Sequence, residues 1–369
     1  MNIRRVNRFS IILAVSLFYS GPVWAEIWQQ TGAAKVSTEY VNNPTLSPTN
    51  SNDVTRILFE PGYELKGKIG DNELSTGLGF QIVRSSNETL SPNRDSPNAF
   101  LSWQRQSEMG EFGVSARYAE IVPLDSAPDA TGLVPVESTR ASRVTSAKWS
   151  KLLSERSTLS ANGTYERVNY TSGNYVDYIS RSESMMFSYA LSENSVPSIT
   201  LLYSDYAPVD NSSPNSFTNI ILAGWNWKIS DYLDGALQVG KTRVNDEATS
   251  TQGGASIHYT DQRTQLILNV NSQILPSGLG GYTTVVQVNG NLSYDLNERT
   301  KAGLDLGWRK NHLYTDIVYR STGAWTQYEL NPFWSVRTYA MYNLLSGEGI
   351  STASSYILGF SLIYMHTDF

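Results

Sequence analysis

From Tyr356 to Tyr364 every second residue is apolar or aromatic: Tyr356, Leu358, Phe360, Leu362 and Tyr364. Ile357, Gly359, Ser361 and Ile363 stand between them, and the chain closes on Phe369. Successive side chains of a strand point to opposite faces, so a period of two over this length means an extended strand with one face against an apolar phase. No stretch of the chain has the composition of a helix that could cover such a face. This limits the fold to two all-β forms. In a soluble sandwich the apolar face is inside; in a membrane barrel it is outside.

The same alternation recurs through the chain. In Tyr282–Leu296 one face is Val286, Val288, Gly290, Leu292, Tyr294 and Leu296, and the other is Gln287, Asn289, Asn291, Ser293 and Asp295. Lys301–Arg309 sets Ala302, Leu304, Leu306 and Trp308 against Gly303, Asp305, Gly307 and Arg309. Phe217–Ile229 and Gln265–Ile274 behave alike. Three features favour the membrane form. The polar faces are rich in Asn, Gln, Ser and Gly, with few of the lysines that guard solvent-facing sheets. Trp225, Trp227, Tyr294, Trp308, Trp325 and Trp334 sit near strand ends, as interfacial girdles require. A closed barrel also satisfies every backbone hydrogen bond in lipid, which an open sheet cannot do.

Connections between the strands alternate in length. Gly70-Asp71-Asn72, Glu108-Met109-Gly110, Ser154-Glu155-Arg156 and Ser230-Asp231-Tyr232 are tight turns, whereas Asn43–Asp53, Ser85–Pro97 and Val122–Glu137 are long polar loops. The pattern predicts a transmembrane antiparallel up-and-down β-barrel of about eighteen strands, with short periplasmic turns and longer extracellular loops. Tyr175–Leu191 breaks the rule, because Arg181 and Glu183 share a register with Phe187 and Tyr189. A bulge between Glu183 and Phe187 is expected there to turn the charges away from lipid.

Residues 1–25 read as a secretory signal. Arg4, Arg5 and Arg8 form its basic end, Ile11 to Phe18 its apolar core, and Val23-Trp24-Ala25 its cleavage site. Residues 26–369 are then one barrel domain, placed in the outer membrane of a Gram-negative bacterium. Removing three arginines takes the net charge from −6 to −6 − 3 = −9, which argues against nucleic acid as a partner. The chain has no cysteine, so disulfides and thiolate metal sites are excluded. His258, His312 and His366 are scattered without metal-ligand spacing, and no enzyme motif or cofactor site stands out.

The expected lumen side carries Glu60, Glu64, Lys66, Arg117, Lys148, Glu166, Lys228, Asp234, Asn289, Asp305, Arg309 and Arg337. Arg320 is grouped with Asp305 and Arg337, because the three lie on successive strands and could form one charged cluster. The pore-lining candidates are therefore Arg117, Lys228, Asp234, Asn289, Asp305, Arg320 and Arg337. Mutual neutralisation that stiffens the wall and a constriction that selects solutes are the two roles open to such charges.

A final amphipathic strand ending in Phe resembles the closing strand of bacterial outer-membrane barrels, which their assembly machinery recognises, although Thr367 stands where that family usually has an aromatic. Glu39-Tyr40-Val41-Asn42-Asn43 and Ile57-Leu58-Phe59-Glu60-Pro61-Gly62-Tyr63, together with the hairpin rhythm, resemble the β-barrel porins encoded in bacterial exopolysaccharide clusters. That resemblance implies a channel for a secreted polysaccharide or another polar solute, with polysaccharide and periplasmic export proteins as partners beside lipid and the assembly machinery. A structural or surface-binding barrel, whose long loops attach polymer or a partner, is the alternative.

Overall fold

A computed structural model describes residues 27–49, 52–121, 138–171, 175–210, 214–245, 249–312 and 316–368. The expected signal segment and Val122–Glu137 lie outside the described residues. In chain order the strands are β1 (Ile27–Asn42), β2 (Asp53–Ile69), β3 (Asn72–Ser85), β4 (Arg94–Ser107), β5 (Gly110–Ile121) and β6 (Arg140–Ser154). They continue as β7 (Ser157–Tyr170), β8 (Tyr178–Tyr189), β9 (Ser195–Pro208), β10 (Ser216–Ser230), β11 (Leu233–Val244) and β12 (Ser250–Thr260). The last six are β13 (Thr264–Pro276), β14 (Tyr282–Asn297), β15 (Thr300–His312), β16 (Asp316–Asn331), β17 (Trp334–Gly347) and β18 (Ile350–Asp368).

Each strand pairs antiparallel with its neighbour in sequence, and β1 pairs with both β2 and β18, so the 18-stranded sheet closes on itself. The expected all-β up-and-down barrel is therefore the observed fold. Along the closing seam Ser37 faces Ser361 and Tyr40 faces Leu358. Closure leaves no edge strand to be satisfied by lipid. The ladder between β2 and β3 is interrupted at Glu60 and Pro61, where proline has no N–H to give. Gln81 Nε2 donates to Glu60 Oε1 across this gap, at 3.1 Å.

Side-chain contacts that skip a strand reveal the concave face, because only there do side chains of non-adjacent strands converge. Tyr339 of β17 donates to Glu39 of β1 past β18, and Lys148 of β6 reaches Gln104 of β4 past β5 at 2.9 Å. The opposite parity carries the exposed apolar residues, among them Ile57, Leu78, Leu101, Ile199, Leu237, Leu304 and Phe360. Tyr356, Leu358, Phe360, Leu362 and Tyr364 all fall on this outer face.

Aromatics close the outer band at both rims. Trp334 lies against Tyr364 at 4.9 Å, and Trp225 stacks on Trp227 at 5.8 Å, toward the short-turn rim. Tyr40 meets Tyr356 at 5.9 Å toward the other rim. Trp325 does not join them. It points inward beneath Arg337, whose guanidinium carbon is 4.1 Å from the ring centroid. Gly303 makes room for it, since a Cβ there would collide with the indole. Nor does β8 contain the expected bulge. Its ladders with β7 and β9 run without a register shift, so Arg181 and Glu183 stay on the outer face with Met185 and Phe187.

Candidate functional site: the lumen wall

Register places six of the seven pore-lining candidates on the inner face: Arg117, Lys228, Asp234, Asn289, Asp305 and Arg337. Arg320 is the exception. It stands opposite Trp308 and Leu344, both outer-face residues, while its neighbour Tyr319 is buried inside. The proposed cluster therefore reduces to Asp305 and Arg337. The cause is a hydropathy inversion on β16. Its outer residues Thr322, Ala324 and Thr326 are small and mild, whereas its inner ones include Ile317, Tyr319 and Trp325.

The inner wall from β1 to β7 is charged, and most of its charges sit in ion pairs, two of them directly in register. Glu39 and Arg56 are both buried, with Arg56 Nη2 2.6 Å and Nε 3.2 Å from the same carboxylate oxygen. Tyr339 caps the other oxygen of Glu39, and Gly359 leaves space for its ring. Lys35 pairs with Glu60 at 2.9 Å, Lys66 with Glu64 at 3.1 Å and Arg140 with Glu166 at 3.0 Å. Lys148 pairs with Glu111. Arg117 differs: it is exposed to the lumen, and no carboxylate lies within 4.0 Å of it among the described residues.

From β8 to β14 the inner wall is mainly hydroxyls and amides, with Met186, Leu202, Ile220, Leu222 and Ile267 set among them. Among the described residues its charged side chains are Lys228, Asp234 and Asp295, all close to the short-turn rim. Cross-strand rows run Ser256–Asn269–Asn289 and Asn271–Gln287–Arg309. Asn291 Nδ2 donates to Asp305 Oδ1 at 2.8 Å, which joins this amide arc to the charges of β15.

Two connections lean inward at the long-loop rim. Tyr282, at the base of the β13–β14 connection, bonds Ser204 of β9 through its hydroxyl at 3.0 Å. In the wall β10 to β13 separate β9 from β14, so the tip must lie across the intervening inner faces, where Thr218 and Thr242 are fully covered. Gly278 O accepts from Val176 N at 2.7 Å. Tyr206 lies between Tyr178 (5.1 Å) and Tyr282 (6.1 Å), and Tyr170 meets Tyr175 at 5.1 Å. Burial pushes the Tyr175 phenol up to about 12.

The other inward connection joins β1 to β2. Leu46 packs on Tyr319, Leu345 and Ala353, and Asn43 donates to Ser354 O at 2.9 Å. Leu46 has φ 48, a left-handed conformation uncommon for such a side chain, so its burial holds the loop in place. Neither feature shows in the hydropathy pattern. The clustering of tyrosines around residues 170–178 was the one available signal.

No protein-family profile matches the chain, and no curated protein matches it significantly. Solved structures do match in fold. The outer membrane protein OpdK from Pseudomonas aeruginosa superposes with a TM-score of 0.53 at 10% identity, over 94% of this chain and 100% of that one. The same protein solved with vanillate gives 0.53 at 11% identity over the same shares. OccAB4 from Acinetobacter baumannii gives 0.52 at 8% identity, again over 94% and 100%. The chain thus has the closed-barrel fold of these outer-membrane proteins.

Proposed function

We propose that this barrel is an outer-membrane channel for polar solutes, with the long loops outside and the tight turns in the periplasm. One observation carries the reading: a closed ring of strands is apolar without and lined within by charged groups, amides and hydroxyls. Water-filled barrels need this arrangement, whereas a purely structural ring could fill its interior with aliphatic side chains. The 277–281 and 43–49 connections then narrow the outer mouth, leaving the solute a path between a charged arc and an amide arc.

The finer reading is a secreted polysaccharide handed on by periplasmic export proteins. It rests on the resemblance of Glu39–Asn43 and Ile57–Tyr63 to porins of exopolysaccharide clusters, and on an amide arc suited to hydroxyl-rich chains. Free Arg117 and the Arg337–Trp325 pair would equally suit a small carboxylate, the class to which vanillate in the OpdK structure belongs.

Planar-bilayer recording of the purified protein tests the channel. Tyr282→Ala should loosen the leaning tip and raise conductance. The reading fails if neither the wild type nor a variant lacking 277–281 and 43–49 conducts. Passage of a neutral oligosaccharide into proteoliposomes, compared with a small aromatic carboxylate, separates the two solute classes. For orientation, a protease added to intact cells should cut within 86–93 and spare the Asp71 turn.

A further inference from the structure

The outer wall between β5 and β9 interrupts the apolar band with several charged side chains. Arg143 and Arg167 face each other directly across the β6–β7 ladder on the outer side. Like charges in that position repel. No carboxylate lies within 4.0 Å of either among the described residues, and the Arg167 Nε is buried without a hydrogen-bond partner. Tyr118 supports Arg143 from the neighbouring strand, with its ring 5.9 Å from the guanidinium carbon. Arg181 stands diagonally beyond Arg167, held by Asp205 at 3.8 Å.

Below these arginines, toward the short-turn rim, lies a groove of about 930 Å³. Ala147, Ala161 and Gly163 line its floor, and Trp149, Met185 and Leu201 are among its walls. The floor residues lie on the same strands and the same face as the arginines, four positions along: Ala147 from Arg143, Gly163 from Arg167. Lys241 and Arg243 line its far side. Glu183 also enters the lining, and Glu120 accepts from Tyr118 nearby. The outward cations Arg143, Arg167, Arg181, Lys241 and Arg243 outnumber Glu120, Glu183 and Asp205 by 5 − 3 = 2.

We propose that this face binds a phosphorylated, acylated glycolipid of the outer leaflet, with a phosphate between Arg143 and Arg167 and an acyl chain in the groove. The charge pattern favours this occupant. An anion between the two guanidiniums converts their repulsion into paired, charge-assisted hydrogen bonds. Ordinary lipid tails would leave arginines and Glu183 facing hydrocarbon. A second copy related by a twofold axis would set the same arginine pair against itself. The site is on the opposite face of the wall from the lumen, and it depends on the proposed function only in the membrane that surrounds it.

The test measures retention of bisphosphorylated lipid A on detergent-purified protein by native mass spectrometry, with gel mobility before and after heating as the check on folding. Wild type should retain this lipid and release phosphate-free lipid A and phosphatidylethanolamine. Arg143→Gln with Arg167→Gln should lower retention roughly tenfold to thirtyfold, as expected for two cations near an anionic head group, and leave conductance unchanged. Ala161→Trp, which fills the groove and leaves every charge in place, should also lower it. Equal retention of the phosphorylated and phosphate-free lipids overturns the proposal, as does unchanged retention in the double variant. Full displacement by millimolar inorganic phosphate would show a free-anion site and reject the lipid. Dimers trapped through Ala161→Cys in native membranes would assign the face to a second copy instead.

Discussion

The arcs β1–β7 and β8–β14 share one topology and one outward alternation, yet line the lumen with different chemistry. In the first arc the inner face is a series of ion pairs, Lys35–Glu60, Glu39–Arg56, Lys148–Glu111 and Arg140–Glu166. In the second it is mainly amides and hydroxyls, with Asn269 facing Asn289 and Asn271 facing Gln287. Only the outer face has to satisfy lipid, so the fold places almost no demand on the inner one. A solute crossing the barrel would meet fixed charges on one side and neutral donors and acceptors on the other. In a channel, that arrangement would orient a polar solute across the lumen without a binding pocket.

The sharpest way to break the comparison is to remove one buried charge. Arg56→Leu leaves Glu39 buried with only Tyr339 to satisfy it, and unpairing a buried charge costs about 3–5 kcal/mol. Asn289→Leu, on the exposed amide arc, should stay within about 0.5 kcal/mol. Urea unfolding in lipid vesicles measures both, and similar losses would mean that the two arcs are not energetically distinct.

Next in size is the contrast between the two faces of one hairpin. Leu304 points outward at mid-strand and is half exposed, so Leu304→Arg should cost roughly 2–4 kcal/mol near the bilayer midplane. Asn289→Arg puts the same group into the lumen and should assemble normally. The heat-modifiable fraction in isolated membranes reports each, and equal defects would contradict the assignment of faces.

Much of this architecture could be read from residue order, because lipid enforces a period of two on outward residues and tight turns punctuate it. The expected Tyr282–Leu296 falls within one residue of β14 for that reason. Where the outer face is not plain lipid contact, the signal fails. Arg320 and Trp325 were misplaced because β16 carries its bulk inside. Arg181 and Glu183 seemed to demand a bulge because charge facing lipid is costly, yet their ladders run without a register shift. The leaning of Tyr282 onto Ser204 depends on contacts 78 residues apart, which no local pattern encodes.

The smallest effect tests whether charge on this wall reaches the solute. Arg337→Glu changes the local charge by two units beside Asp305, and Asn289→Glu changes it by one in the amide arc. A unit charge about 10 Å from a passing ion in water is worth roughly 0.4 kcal/mol. The reversal therefore amounts to about 0.8 kcal/mol for each ion, with opposite sign for cation and anion, or roughly sixteenfold in the cation-to-anion permeability ratio, against about fourfold for Asn289→Glu. Both shifts should favour cations, and both should fade toward 1 M salt, where the screening length is about 3 Å. Reversal potentials in asymmetric salt read the ratio directly. A roughly sixteenfold shift for Arg337→Glu with none for Asn289→Glu would place the ion path along the charged strands and away from the amides. Equal shifts would put it nearer Asn289, because the smaller charge change would then act at shorter range. No shift in either, in a protein that conducts, would remove the β14–β17 wall from the path.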